Sequence, residues 1–312
     1  MSFAFVFPGQ GSQSVGMLGE LAAQFPLVHE TYAEASEALG YDLWRIVQGG
    51  PEAELNQTHI TQPAMLAGGI AVWRVWQAEG GTRPAVMAGH SLGEYTALVA
   101  AGSLNFSDAV RLVADRGRFM QEAVPAGVGA MAAILGLDDD KVIEVCAQAA
   151  QGEVVSAVNF NSPGQVVVAG HAAAVDRAVA LAKEAGAKRA LMLPVSVPSH
   201  CSLMAQAAER LAKRLASIEI AAQSIPVINN VDVKSETAAD AIRDALRRQL
   251  FMPVRWVEVI HAMGARGVGS IVECGPGKVL VGLNKRINKE MGTFETLDPE
   301  SLTKALETLK GE

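Results

Sequence analysis

Cysteine is scarce in this chain, and long apolar runs are missing altogether. Only three of its 312 residues are cysteine, Cys146, Cys201 and Cys274, and no C-x-x-C pair occurs. That wide spacing and odd number argue against a disulfide framework and a zinc site, so no metal is expected. No apolar run reaches the roughly 18–20 residues that cross a bilayer, so no membrane partner is expected either. Basic charge is short as well: 26 lysines and arginines stand against 33 aspartates and glutamates, a formal net charge of −7. A chain with that balance does not attract nucleic acid. The opening MSFAFVFPGQG lacks a basic leader and a cleavage site, and is expected to be a strand, not a signal peptide. A reducing cytoplasm is the expected location. Internal repeats and low-complexity tracts are also lacking.

What is present is the composition of a compact enzyme, half hydrophobic and 19% charged. The length suits one large domain or two unequal ones. Residues 3–7 form an apolar run stopped by Pro8-Gly9, which predicts a buried strand. Helical spacing follows over 17–39 and, after Pro63, over 65–79. A second short apolar run, 85–88, leads into a helix over 92–100, and Ser107 is placed to cap another over 108–123. Strands alternating with helices predict a mostly parallel sheet covered on both faces.

The middle reads differently. Strand 130–135, helix 138–150, strand 154–160, strand 165–169, helix 173–185 and strand 190–195 give the order β-α-β-β-α-β, which is ferredoxin-like. Turn-rich borders at 125–127 and 194–198 mark it as an insert. The expected fold is therefore α/β: a hydrolase-like large subdomain over 1–126 and 197–312, interrupted by a ferredoxin-like small subdomain over 127–196. After the insert come helix 203–218, strand 227–230, helix 237–250, strand 270–273 and a closing helix from Lys278.

Between the strand at 85–88 and its helix lies Gly89-His90-Ser91-Leu92-Gly93, which fits G-x-S-x-G. A nucleophile on a sharp strand-to-helix turn needs small residues two before and two after the serine. There its hydroxyl stands at a helix N-terminus, where the Leu92 N–H can meet a developing oxyanion. Ser91 could instead serve only as the cap of that helix, but strand, G-x-S-x-G and helix in one frame favour the nucleophile.

A serine nucleophile needs a base. Of six histidines, His29 and His261 fall in helical patterns, and His59 and His171 at element ends. His90 adjoins Ser91 on a turn where neighbouring side chains diverge, so it is assigned support. His200 lies where the insert returns to the main sheet, well placed to overhang the serine. A helix-start histidine with purely local bonds would look the same.

Arg116 carries the sharpest signal. On an ideal wheel with Ala109 at 0°, Leu112, Val113, Met120 and Ala123 fall within about 60° of that direction, and Arg116 falls at about 340°. Arg111 and Arg118 fall at about 200° and 180°, on the wet face. A guanidinium on a buried stripe needs a carboxylate or a full set of acceptors. One reading is an internal ion pair with Glu94 or Glu273. The other is a fork awaiting a substrate carboxylate.

Two glycine motifs are set aside. Gly9-Gln10-Gly11-Ser12-Gln13-Ser14 follows a strand but has Ser14 where a dinucleotide fingerprint has its third glycine, and no acidic partner follows. Its Gln10 is the useful residue, since its N–H could be a second oxyanion donor. Gly275-Pro276-Gly277-Lys278 lacks the spacing of a phosphate loop.

Taken together, FVFPGQGSQ (5–13), TQPA (61–64), GHSLGEY (89–95), Arg116-Gly117, GAMAAI (129–134), NFNSPGQ (159–165), PVSVPSH (194–200), NNVD (229–232) and GPGKVL (275–280) carry a resemblance. The chain resembles the malonyl-CoA:acyl carrier protein transacylases and the acyltransferase domains of polyketide synthases along nearly its whole length. The resemblance implies Ser91 as nucleophile, His200 as general base and then acid, and the amides of Gln10 and Leu92 as oxyanion hole. It implies Arg116 as holder of the malonyl carboxylate, with His90 and Gln249 in support. In that family a backbone carbonyl near the position of Gln249 orients the histidine, so no third acidic member is needed. One departure, Phe251-Met252 before Pro253, lies close by.

The implied reaction transfers malonyl from malonyl-CoA to the phosphopantetheine thiol of holo-acyl carrier protein, releasing CoA, in ping-pong fashion. No bound cofactor or metal is implied, and a monomer suffices. Lys183, Lys188, Arg189, Lys213 and Arg214 are candidate contacts for an acidic carrier, although solvated helix faces explain them equally well. A serine thioesterase, an acyltransferase using methylmalonyl, and a catalytically silent carrier-binding protein are the rivals.

Overall fold

Strand β1 (Ser2–Phe7) shows why the opening residues fold as they do: its side chains alternate between two separate cores. Phe3, Phe5 and Phe7 face one core, where the Phe5 ring lies 5.0 Å from Trp76 and 5.4 Å from Trp73, edge to face. Ala4 and Val6 face the other, under Trp256 and Ile260. A strand covered on both sides is the mark of a parallel sheet, and each buried phenylalanine contributes about 2–3 kcal/mol. The computed structural model describes residues 2–125, 127–195 and 197–310.

Five strands form the main sheet: β1, β2 (Val86–Gly89), β7 (Val227–Ile228), β8 (Val268–Glu273) and β9 (Gly292–Glu295). Their order is β7-β2-β1-β8-β9, with every neighbouring pair parallel. The other four, β3 (Gly129–Leu135), β4 (Val155–Ser162), β5 (Gln165–His171) and β6 (Arg189–Met192), make a separate antiparallel sheet in the order β4-β5-β3-β6. Its helices, Asp139–Ala150 and Ala172–Glu184, pack a small alanine- and valine-rich core against it. The expected borders fall on Ala126 and Ser196, which lie outside the described residues. Where β4 passes the main unit, Val254 N–H donates to Val158 O at 2.8 Å and Phe160 N–H to Val254 O at 3.0 Å.

Several local expectations need correction. The helix expected over 17–39 is two, Gly19–Gln24 and Pro26–Leu39. Pro26 forces Phe25 into extended backbone, which no helix continues through. The helix expected after Pro63, over 65–79, begins earlier, running Thr58–Ala78, and contains that proline. The turn before it is held by packing: a Cβ on Gly117 of helix Phe106–Ala123 would come within 2.7 Å of Thr58 O and His59 Cα. That close approach outweighs the lost hydrogen bond. Asn105, not Ser107, caps the second of these helices, accepting from Asp108 N–H at 3.2 Å. The strand expected over 190–195 ends at Met192, and the helix expected from 203 begins at Ala205 after a short 3-10 turn, Ser202–Met204. Beyond helix Val279–Ile287 come β9 and a final helix, Pro299–Lys310, which pattern reading did not anticipate.

Candidate active site

At the end of β2 the chain turns sharply into helix Gly93–Ala100. Ser91 sits in this turn with φ +52°, a left-handed conformation that strains any residue with a side chain. The flanking glycines are required by contact. A Cβ on Gly89 would lie 1.8 Å from the carbonyl carbon of Gly93, and one on Gly93 would lie 2.0 Å from Phe7 O. Asn230, just past β7, clamps the turn: its Oδ1 accepts from Ser91 N–H at 2.8 Å, and its Nδ2 donates to Gly89 O at 2.7 Å.

His200 lies in the loop after β6, itself left-handed at φ +66° and 3% exposed. Its Nδ1–H donates to Gln249 O at 2.6 Å. A carbonyl can only accept, so this bond leaves Nε2 unprotonated. The Ser91 hydroxyl donates to that nitrogen at 2.8 Å. Burial, and next the Arg116 charge, lower the imidazole pKa to about 3. The ring is therefore a neutral acceptor at ordinary pH, ready to take the serine proton.

Arg116 stands where the wheel placed it, 1% exposed on helix Phe106–Ala123. Its Nη1 donates to Gln62 Oε1 at 2.8 Å, and its Nη2 to Gln249 Oε1 at 3.1 Å and Ser91 Oγ at 3.3 Å. Nε has no partner, and the guanidinium carbon lies 5.4 Å from the Tyr95 ring centre. Burial pulls its pKa below the usual value. Neither internal ion pair forms among the described residues. The Gln249 amide stands between Arg116 and Glu94, giving Nε2–H to Glu94 Oε2 at 2.9 Å. Glu273 is instead turned to the start of helix Val279–Ile287, accepting from Val281 N–H at 2.7 Å.

Gln10, Ser91, Leu92, Arg116 and His200 open on one cavity of about 370 Å³, whose wall includes Asn159 and Val167 of the antiparallel sheet. The backbone amides of Gln10 and Leu92 donate to no acceptor among the described residues. His90 also lines the cavity, but its Nε2–H donates to Asn161 Oδ1 at 2.8 Å, tying the elbow to β4. The three cysteines are buried, and burial raises the Cys201 thiol to about 11, so none competes as nucleophile. No His, Cys, Asp or Glu cluster that could hold a metal occurs among the described residues. No described helix is long and apolar enough to cross a membrane.

Four residues at this site have no supporting role in the sequence reading: Gln62, Asn161, Asn230 and Glu94. The first three lie in motifs quoted above but are lone polar residues without periodicity. Glu94 was weighed only as a partner for Arg116. The site itself is an activated serine beside a buried cation, with two free amides at the same cavity, an arrangement that suits acyl transfer.

Residues 4–297 match the family model of the acyl transferase domain. The chain belongs to this family. It is 62% identical over 305 residues to the malonyl CoA-acyl carrier protein transacylase of Escherichia coli K12, over 98% of this chain and 99% of that protein. An acyl carrier protein S-malonyltransferase structure from Vibrio cholerae matches with TM-score 0.96 and 61% identity, over 98% of this chain and 100% of the other. A malonyl-transacylase solved with a type II polyketide synthase acyl-carrier protein matches with TM-score 0.98 and 58% identity, over 99% of this chain and 100% of that one. As in other acyl transferase domains, the fold is α/β, and the chain is an acyltransferase.

Proposed function

We propose that this chain moves a malonyl group from malonyl-CoA to the phosphopantetheine thiol of holo-acyl carrier protein, by way of an ester on Ser91. In the first half, His200 Nε2 takes the hydroxyl proton as Ser91 Oγ attacks the thioester carbonyl. The amides of Gln10 and Leu92 receive the oxyanion. The C–S bond then breaks, and His200 returns the proton to the leaving CoA sulfur. The second half repeats these steps with the carrier thiol attacking the serine ester and Ser91 leaving.

Arg116 selects the acyl group. Its guanidinium is buried beside Ser91, lacks a carboxylate partner among the described residues and keeps Nε undonated; this observation carries the reading. A substrate carboxylate would complete its fork, whereas a plain acyl chain would face an unmatched charge. His90 and Gln249 support the site. The nucleophile, base and charge all come from one chain, so the reaction needs neither a resident cofactor nor a second copy. Buried free thiols suit a reducing cytoplasm. The catalytic unit comprises 1–126 and 197–312, and the insert comprises 127–196.

Lys183, Lys188, Arg189 and Lys213 are exposed and remain candidate carrier contacts. Arg214 is a poorer one, since it donates to Asp115 at 2.9 Å.

Mass spectrometry after incubation with malonyl-CoA tests the proposal. The expected product is one malonyl addition mapped to Ser91, with CoA release stopping at one equivalent until holo-carrier is added. Continuous CoA release without carrier would make the protein a thioesterase instead.

A further inference from the structure

Gln249 is fully buried at the end of helix Ala239–Gln249, and each end of its side-chain amide has a fixed task. Its Nε2 donates to Ser91 O and to Glu94 Oε2, both at 2.9 Å, with Asn230 Oδ1 at 3.4 Å. Its Oε1 accepts from Arg116 Nη2 at 3.1 Å. Turning the amide over would set its oxygen against these acceptors and its NH2 against the guanidinium. Burial makes each such mismatch costly. Glu94, 2% exposed, is the side-chain acceptor nearest to that nitrogen and is itself anchored from behind, since its Oε2 also accepts from Asn230 N–H at 2.9 Å.

We infer that Glu94 is a positioning residue for acyl-group selection: its Oε2 fixes the direction of the Gln249 amide, which in turn aims the Arg116 fork at the cavity. Glu94 lines a different face of the elbow helix and does not border that cavity. It acts through Gln249, as an acceptor at a set reach and not as a charge. The inference rests on Arg116 holding the substrate carboxylate.

Two substitutions separate reach from charge. Glu94→Gln keeps an acceptor oxygen in place and removes the charge, whereas Glu94→Asp keeps the charge and withdraws the acceptor by about 1.5 Å, one C–C bond. Both changes are small enough for the fold, which thermal unfolding checks. The readout is the ratio of kcat/KM for Ser91 loading from malonyl-CoA and from acetyl-CoA. Glu94→Gln is expected to hold the wild-type ratio within threefold. Glu94→Asp is expected to lower it at least tenfold, chiefly through a higher KM for malonyl-CoA. The reverse pattern would show that charge acts across space and would overturn the inference. A ratio unchanged in both variants, or equal losses with both thioesters, would overturn it too. Arg116→Ala in the same assay separates the two claims. If its ratio does not fall, the carboxylate reading fails; if it falls while that of Glu94→Asp does not, only the Glu94 inference fails.

Discussion

His200 donates from Nδ1 to the main-chain oxygen of Gln249 at 2.6 Å, so a carbonyl stands where many serine enzymes place a carboxylate. The carbonyl fixes the tautomer without adding a negative charge, and its hydrogen bond offsets only part of the burial and the Arg116 charge that hold the imidazole pKa at about 3. The sign is plain: a histidine with a lowered pKa stays neutral, and able to accept a proton, until the pH approaches that value.

Ser91 loading from malonyl-CoA should therefore stay level, within about twofold, as pH falls from 7.5 to 5.5. Glu94, which burial raises to about 7, keeps an acceptor oxygen in either protonation state and should not disturb this. Stopped-flow measurement of CoA release checks it. An acid limb near 6.5 that disappears in no other variant but those of His200 would contradict it.

The elbow glycines should tolerate nothing larger. In Gly93→Ala the new methyl meets backbone, Phe7 O at 2.0 Å, and backbone cannot rotate away. A loss of at least about 2 kcal/mol is expected from such overpacking. Denaturant unfolding measures it, and a loss under about 0.5 kcal/mol would refute the contact.

Glu273 offers a stability test away from the chemistry. It is fully buried, and burial raises its pKa to about 7 from an ordinary 4.5. A raised carboxyl pKa favours the fold below about 4.5, and that benefit is lost as pH rises through 7. Glu273→Gln, which cannot ionise, should therefore gain stability relative to wild type between pH 5 and pH 8. The linkage limit is on the order of 3 kcal/mol. A difference in Tm between the two proteins that is the same at both pH values would contradict this.

Much of this molecule was legible beforehand because its signals are local. G-x-S-x-G between a strand and a helix reports a turn whose sterics are internal to five residues. The β-α-β-β-α-β order reports the antiparallel sheet, and Arg116 reports its own burial through the helical period. Contacts between distant segments were hidden. Whether Arg116 meets Glu94 depends on Gln249, 133 residues away along the chain from Arg116. The pattern places the helix only after Pro63, at 65–79, because the contact between Gly117 and Thr58–His59 that steadies the preceding turn has no local trace. Strand β9 escaped notice because four half-buried residues, GTFE, alternate too briefly to show a period.

Selectivity by one buried cation is the central claim, and Arg116→Ala tests it most directly. Rates of Ser91 loading from malonyl-CoA and acetyl-CoA should be measured side by side on the folded variant. The expected result is at least a 100-fold loss with malonyl-CoA, about 3 kcal/mol, and less than a tenfold change with acetyl-CoA. Equal losses with the two thioesters would contradict the account.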